Sequence, residues 1–501
     1  MRRKKVFSLV LATIITTVLA AGCGTSPATD TTYGTANAST SSNKMVEIAV
    51  DRATFNQASS DSTEVEAIQN AINKYIGPKI NVQIKLSDIS SGEYADRTNL
   101  SLANGEANLF WTANWEGAVS TDNLYSQNAV YDISDLLPGT DLYNSMPEEV
   151  WNSSKYNGND YFIPCYKESA EGYDLVYPTT KAKKYNWDMS SIKELKDIEP
   201  MLADMKADGV KYPLLMQKMP FFSKYYIDKY DFSMANTMIV IDLSKNEVVN
   251  CIQTKDYKDF VTLISDWATK GYISDEEVTK TIPDTAIMTT DWGFAAWVDV
   301  PNNDDATTTY GQDCDVVHMT KDWTNSTSTL GSCYAISSSC TEEQAKACID
   351  FLGLLYTDST LANLYTYGIE GTDYDMSSDG FVVKKGELYN HSAWESGSVK
   401  SIALEKGSPS NTVELYENFN TKSVASPASG FRPDYSSVEA QWSACTSIYD
   451  QYGYALEEGA YTPEDVESVI AKYQTALDNA GFQDVLTEIQ SQYKEWKASN
   501  N

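Results

Sequence analysis

The chain has 501 residues, with 38 Lys+Arg against 70 Asp+Glu, two His and a formal net charge of −32. At 42 % hydrophobic and 22 % charged residues it has the make-up of a soluble globular protein rather than a disordered or membrane-embedded one, long enough for roughly two or three domains. The acid excess argues against nucleic acid, whose binding depends on Lys and Arg at phosphates, and having only His318 and His391 excludes a multi-histidine metal centre.

Arg2, Arg3, Lys4 and Lys5 open the chain as a basic stretch, and a mostly apolar run follows from Phe7 to Ala21. That run has the size of a signal-peptide core and is short for a membrane span. It ends in Leu19-Ala20-Ala21-Gly22-Cys23, which resembles a bacterial lipobox: small residues fit the signal peptidase, and the Cys thiol takes an acyl chain such as palmitate. Residues 1–22 are therefore expected to be a lipoprotein signal peptide and Cys23 the site of lipidation; an ordinary secretory signal with a chance cysteine is the alternative. Of the twenty residues 24–43, ten are Ser or Thr and the only aliphatic side chains are three alanines. No core forms from that, so 23–43 reads as a flexible tether with an r.m.s. reach of roughly 25 Å.

Met45-Val-Glu-Ile-Ala-Val50 alternates as a strand does. Val65, Ile68, Ile72, Tyr75 and Ile76 then share a helical face, which Gly77-Pro78 is expected to end. Ile80 to Leu86 alternates again, Tyr94 to Leu102 reads as a helix closed by Asn104-Gly105, and Ala107 to Thr112 as a third strand. Strand–helix–strand–helix–strand implies βαβ units and a parallel sheet covered by helices, with ligands at the carboxyl ends of the strands. A second α/β region starts near Cys165. Ile192, Leu195, Ile198, Leu202 and Met205 fall at helical spacing, as does the segment from Tyr257 to Trp267. Leu330 to Ile336 reads as a strand, and Thr341-Glu-Glu-Gln344 opens a helix with capping-box spacing. The tail is helical, with one face at Val466, Val469, Ile470, Tyr473 and Leu477 and the next at Phe482, Val485, Leu486, Ile489, Tyr493 and Trp496. Beyond Cys23 there are seven cysteines without a CxxC pair. An odd number leaves at least one unpaired, and mostly buried free thiols are expected, with a disulfide or two as the alternative.

Several of these pieces share an order with one family. They are the lipobox and tether, the strand–helix–Gly-Pro–strand of 45–86, the Gly-Glu before the strand in 100–112, Tyr131-Asp-Ile-Ser-Asp-Leu-Leu-Pro138, and the strand, Ser-rich turn and helix of 331–356. Together they resemble the extracellular solute-binding lipoproteins of bacterial ABC importers, of the family-1, sugar-binding type. Tyr367-Gly-Ile-Glu-Gly-Thr-Asp-Tyr374, Gly430-Phe-Arg-Pro-Asp434 and the closing helix look like one oligosaccharide-type subgroup. The resemblance implies an α/β, two-lobed fold of the periplasmic-binding-protein type (type II), with a ligand cleft between lobes, hinge strands and a helical C-terminal tail. Lobe 1 is expected at 44–165 and 285–356, and lobe 2 at 166–284 and 357–501. The implied partners are a carbohydrate, the transmembrane subunits of an ABC permease and the membrane through lipid on Cys23, placing the body on the extracytoplasmic face. Neither a cofactor nor a metal is implied.

A sugar cleft needs flat rings for C–H faces and polar groups for hydroxyl edges. Asn114, Trp115 and Glu116 follow the third strand and have that chemistry. Trp292, Trp297 and Trp323 are further candidates, with Tyr166 and Glu168 near the first expected crossover and Glu370 and Asp373 near the other. For each tryptophan the plain alternative is packing. Asp373, Asp375, Ser377 and Asp379 alternate as calcium ligands do, but Gly380 comes two places late and Lys384 stands where a bidentate Glu belongs; a solvated acidic turn accounts for them. No catalytic motif is present: no Gly-x-Ser-x-Gly, His-Glu-x-x-His, P-loop or Gly-x-Gly-x-x-Gly. The rival functions are a lipid-anchored glycoside hydrolase, which needs only two suitably spaced carboxylates, and a peptide-binding surface protein.

Overall fold

The computed structural model describes residues 44–55, 62–216, 221–234, 236–279, 291–299, 301, 304–386, 389 and 391–500. The signal stretch, Cys23 and the tether lie outside them. Alternation places the first strand as expected: Ile48 and Val50 in Val46–Thr54 are fully buried, as are Ile68, Ile72 and Ile76 on one side of the helix Ser62–Ile80. That helix runs through Gly77-Pro78 instead of ending there. The missing proline N–H falls in the last turn, the next turn still closes from Asn81 N to Gly77 O at 3.0 Å, and Asn81 at φ 55° ends it.

The first sheet has the spatial order Val82–Ser90, Val46–Thr54, Leu109–Thr112, Cys333–Ile336, Phe162–Pro164. Its first three strands are parallel, and Cys333–Ile336 runs antiparallel to both of its neighbours. The helix Glu342–Thr357 behind it starts on the expected capping box, with Gln344 N donating to Thr341 Oγ1 and Thr341 N to Gln344 Oε1. The second sheet has the order Cys314–His318, Tyr173–Pro178, Trp292–Val298, Tyr212–Leu215. Around it the residues 192–205 form two pieces, a 3₁₀ turn Leu195–Ile198 and a helix Glu199–Ala207, because Pro200 opens a new helix at its first turn. The tail helices Pro463–Asn479 and Phe482–Asn500 pack on this lobe through the faces read from sequence, and Glu439–Glu457 joins them through Cys445, Tyr449 and Leu456.

Two large hydrophobic cores follow, with a smaller one at the second sheet that holds Trp292, Tyr212 and Tyr310. One joins side chains from Ile48 to Tyr166 with Leu330 to Ile402; the other joins Leu175 to Ala296 with Ala428 to Tyr493. The lobe boundaries expected at 285 and 357 are therefore corrected. The strand Trp292–Val298 pairs in the second sheet, and residues 361–402 pack in the first core. Periodicity identifies a strand or helix but not the sheet it joins. The chain crosses between cores at 167–174, 319–329 and 403–427, and the three crossings lie side by side. Glu171 and Trp323 exchange both backbone hydrogen bonds, at 2.9 and 2.8 Å, and Trp323–Thr324 pairs in parallel with Val424–Ala425. A narrow ribbon of this kind is what a hinge between two rigid bodies requires.

The seven cysteines from Cys165 to Cys445 are free thiols, six of them buried. One acid in the second core has a measurable consequence. Glu457 is 2 % exposed and accepts hydrogen bonds from the Thr237 and Tyr257 hydroxyls, yet burial pushes its carboxyl up to about 7. A carboxyl raised on folding contributes full stability below its unfolded value and loses it as pH climbs to the folded one. Stability should fall by roughly 3 kcal/mol between pH 4.5 and 7 on this account, and Glu457→Gln should flatten that slope in melting curves taken across the range.

Candidate functional site

Four aromatic rings meet at the carboxyl edge of the first sheet. Phe55 follows the first strand, Trp111 lies in the third, Trp115 follows it, and Trp394 comes from the segment that returns after the first-lobe helices. Ring centroids are 4.9 Å apart for Phe55–Trp394, 5.7 Å for Trp111–Trp115 and 6.5 Å for Trp115–Trp394. Trp111 is the base, 1 % exposed and tied through Nε1 to Ser332 Oγ at 2.8 Å; Trp115 is the rim, 54 % exposed. The Trp115 indole N–H donates to Gly331 O at 2.9 Å, and Asn114 Nδ2 to Thr327 O at 2.9 Å. The Trp115 ring is thereby held in one orientation with much of its surface open to solvent. Glu116 is 7 % exposed, and burial raises its carboxyl.

Linked to the same segment through Thr327 is a cavity of about 280 Å³, lined by Thr327, Glu171, Tyr173, Phe232, Tyr449 and Tyr454 among others. Its polar groups are held in place: Glu171 accepts from Tyr173 OH at 2.9 Å and from Asn325 Nδ2 at 3.0 Å. Lys224 sits over the Tyr173 ring with Nζ 4.2 Å from its centroid, and burial pulls its ammonium down to about 8 against the opposing charge of Glu171. Thr327 touches both halves, receiving Asn114 through its carbonyl and lining the cavity. A larger depression of about 510 Å³, lined by Val46, Ile80, Glu342 and Lys346 among others, holds no aromatic ring.

Of the residues singled out from sequence, Trp115 belongs to the ring cluster, and Asn114 and Glu116 flank it in the chain. Trp323 is in the hinge ribbon, its Nε1 donating to Asp228 Oδ1 at 2.7 Å. Glu168 pairs with Lys167 in the first crossing. The others have different work. Tyr166 is 2 % exposed in the first core, and Trp292 is 1 % exposed against Tyr310 at 4.8 Å. Trp297 packs on the same Tyr310 at 5.6 Å. Glu370 and Asp373 are not at a crossover, because that crossing comes after residue 402. Asp373 accepts the Ile369 N–H at 2.6 Å and Asp375 pairs with Lys385 at 2.7 Å, while Ser377 bonds Phe381, so these oxygens hold a hairpin. Phe55, Trp394, Tyr173, Lys224, Phe232, Tyr449 and Tyr454 were missed. Phe55 had a signal, since it follows the first strand as Trp115 follows the third; the rest are brought together only by the tertiary fold.

A family model described as a domain of unknown function, DUF3502, matches residues 427–498, the tail of the second lobe. A carbohydrate ABC transporter substrate-binding protein of Streptococcus pneumoniae is 22 % identical over 462 residues, covering 86 % of this chain and 88 % of that protein. The N-glycan transport solute-binding protein NgtS of Streptococcus pneumoniae superposes with a TM-score of 0.75 at 20 % identity, over 91 % of this chain and 100 % of that one. An HMO-binding, ABC-transporter-associated solute-binding protein of Bifidobacterium longum infantis gives 0.62 at 14 % identity, over 90 % and 99 %. The resemblance read from the sequence segments thus extends along most of the chain, and the fold is the two-lobed α/β architecture of solute-binding proteins.

Proposed function

We propose that this chain is the substrate-binding component of an ABC importer, capturing a carbohydrate between its lobes and delivering it to a membrane permease. The observation that carries this is the ring cluster of Phe55, Trp111, Trp115 and Trp394 at the carboxyl edge of the first sheet, tied through Asn114 to Thr327 of the neighbouring cavity. The partly exposed rings of Phe55, Trp115 and Trp394, backed by buried Trp111, suit the C–H faces of a sugar, and Glu116, Asn114 and Glu171 suit its hydroxyls. Closure about the hinge would bury the guest on both sides, and the sugar favours the closed shape by its difference in affinity for the two. An oligosaccharide fits best, since one fold relative is an N-glycan transport protein and has been seen in complex with Man5GlcNAc.

The protein acts as a binder rather than an enzyme in this reading. Oligosaccharides should raise its melting temperature and change its tryptophan fluorescence. Release of reducing ends during the same incubation would instead favour the hydrolase, and a response to peptides alone the peptide binder. Among the described residues no helix is long and apolar enough to cross a membrane. The lipobox-like run ending at Cys23 supports attachment through lipid on that residue, with the body outside the cytoplasm on its tether. Cys23→Ser should move the protein from the membrane fraction to the medium and abolish labelling by palmitate; membrane retention in that variant would refute the anchor.

A further inference from the structure

We propose that the second lobe holds a divalent transition-metal site, of zinc-like preference, formed by Asp174, Asp299 and His318 at the foot of the hinge. The ligands come from three adjacent strands. His318 is the register partner of Asp174 on one side, and Trp297 is its partner on the other. Paired residues share a face of a sheet, and Asp299, two residues beyond Trp297, returns to that face. His318 Nδ1 consequently lies 2.9 Å from Asp174 Oδ1 and 3.4 Å from Asp299 Oδ2. One ligand atom from each of the three falls within 4.8 Å of the others. Ligand atoms around a tetrahedral zinc stand about 3.3 Å apart, close to both spacings from His318.

An ion pair between His318 and Asp174 does not account for the whole arrangement. Asp174 is 0 % exposed, and its second carboxylate oxygen accepts no hydrogen bond. Asp322 stands against the same group, and its buried Oδ1 is also without a hydrogen bond. It fits only because residue 172 is glycine: a Cβ there would lie 2.3 Å from that oxygen. Three carboxylates therefore converge on one imidazole, and among the described groups His318 is the only cation acting on Asp174. The imidazole nitrogen favours zinc and its neighbours over calcium, which takes six to eight oxygens. His318 is exposed on its outer side, with a side-chain exposure of 59 %, leaving an entry path and room for water as a further ligand.

The site is placed to act on the hinge. Asp322 immediately precedes Trp323 of the ribbon, and Asp174 comes three residues after Glu171, to which Trp323 is bonded. A cation shared by these segments would stiffen the ribbon where it enters the second lobe. The test uses the full chain freed of metal by chelation, then titrated with ZnCl₂ by calorimetry and with Co²⁺ followed by its visible absorption. One zinc per chain is expected, with CaCl₂ giving no competing heat. His318→Ala, at an exposed position that should leave the fold intact, and Asp174→Asn should each weaken zinc at least about tenfold. Absence of zinc binding by the wild type, or equal affinity in wild type and His318→Ala, would overturn the site. The readout is independent of sugar and stands or falls apart from the transport reading.

Discussion

Trp115→Ala should weaken oligosaccharide binding by about 2 kcal/mol, roughly thirtyfold, while the melting temperature of the ligand-free protein moves by no more than about 2 °C. The asymmetry follows from the place of the ring. More than half of its surface is exposed, so truncation removes little burial from the ligand-free fold. The indole is nonetheless fixed by its bond to Gly331 O and by contact with Trp111, so the ring meets a sugar without first losing much rotamer freedom. Trp292→Ala is the matching control. That ring is 1 % exposed in a small core with Tyr310 and Tyr212, and its loss should cost about 3–5 kcal/mol of stability while leaving the affinity of the folded protein unchanged. Titration by fluorescence and thermal melts of both variants separate the two roles. Unchanged affinity in Trp115→Ala would remove that ring from the ligand path.

The contrast between these two tryptophans shows what the sequence disclosed and what it withheld. Both follow or lie in apolar strands with small and polar neighbours. Trp115 could be placed because it comes just past a strand of a parallel sheet, where the open edge faces solvent. Trp292 could not, because its exposure depends on Tyr310 and Tyr212, far away in the chain. The same distinction runs through the fold. Helix faces such as Val466 to Leu477 and the Thr341–Gln344 cap were legible because they depend on neighbours three or four residues away. Membership of a lobe depends on which sheet edge a strand finds, so Trp292–Val298 and residues 361–402 were misassigned. The cluster of Asp174, Asp299 and His318 was hidden for the same reason. Its ligands are 125 and 19 residues apart in sequence and adjacent only through strand register.

Asp88→Ala should be among the most destabilising single changes in the first lobe, costing about 3–5 kcal/mol. Arg52 and Asp88 are register partners on neighbouring parallel strands, with side-chain exposures of 3 % and 2 %. Arg52 Nε donates to Asp88 Oδ1 at 2.5 Å and Nη2 to Oδ2 at 3.2 Å, while the guanidinium lies 4.3 Å from the Tyr365 ring centroid. His391, 0 % exposed, closes the group with Nε2 3.0 Å from Asp88 Oδ2. Removing the carboxylate leaves a guanidinium and an imidazole in a site that water does not reach. The double replacement Arg52→Met with Asp88→Leu should cost less than Asp88→Ala, because the always-charged guanidinium is then no longer stranded and the imidazole can shed its proton; equal costs would mean that packing, and not charge, sets the penalty. The pH dependence gives a second check. Although burial opposes it, attraction from Arg52 and His391 holds the Asp88 carboxyl well below the usual carboxylate range. Its contribution is thus complete above the unfolded value of about 3.9 and is lost only as pH falls through the lower folded one. Burial and Arg52 work against the charged imidazole, but Asp88 and Glu395 outweigh them and raise His391. That contribution is full below about 6.5 and is lost as pH rises through the folded value. In melting curves the wild type should lose stability above neutral pH from this source. Asp88→Ala, lacking the anion that holds the imidazolium, should lose less over the same interval.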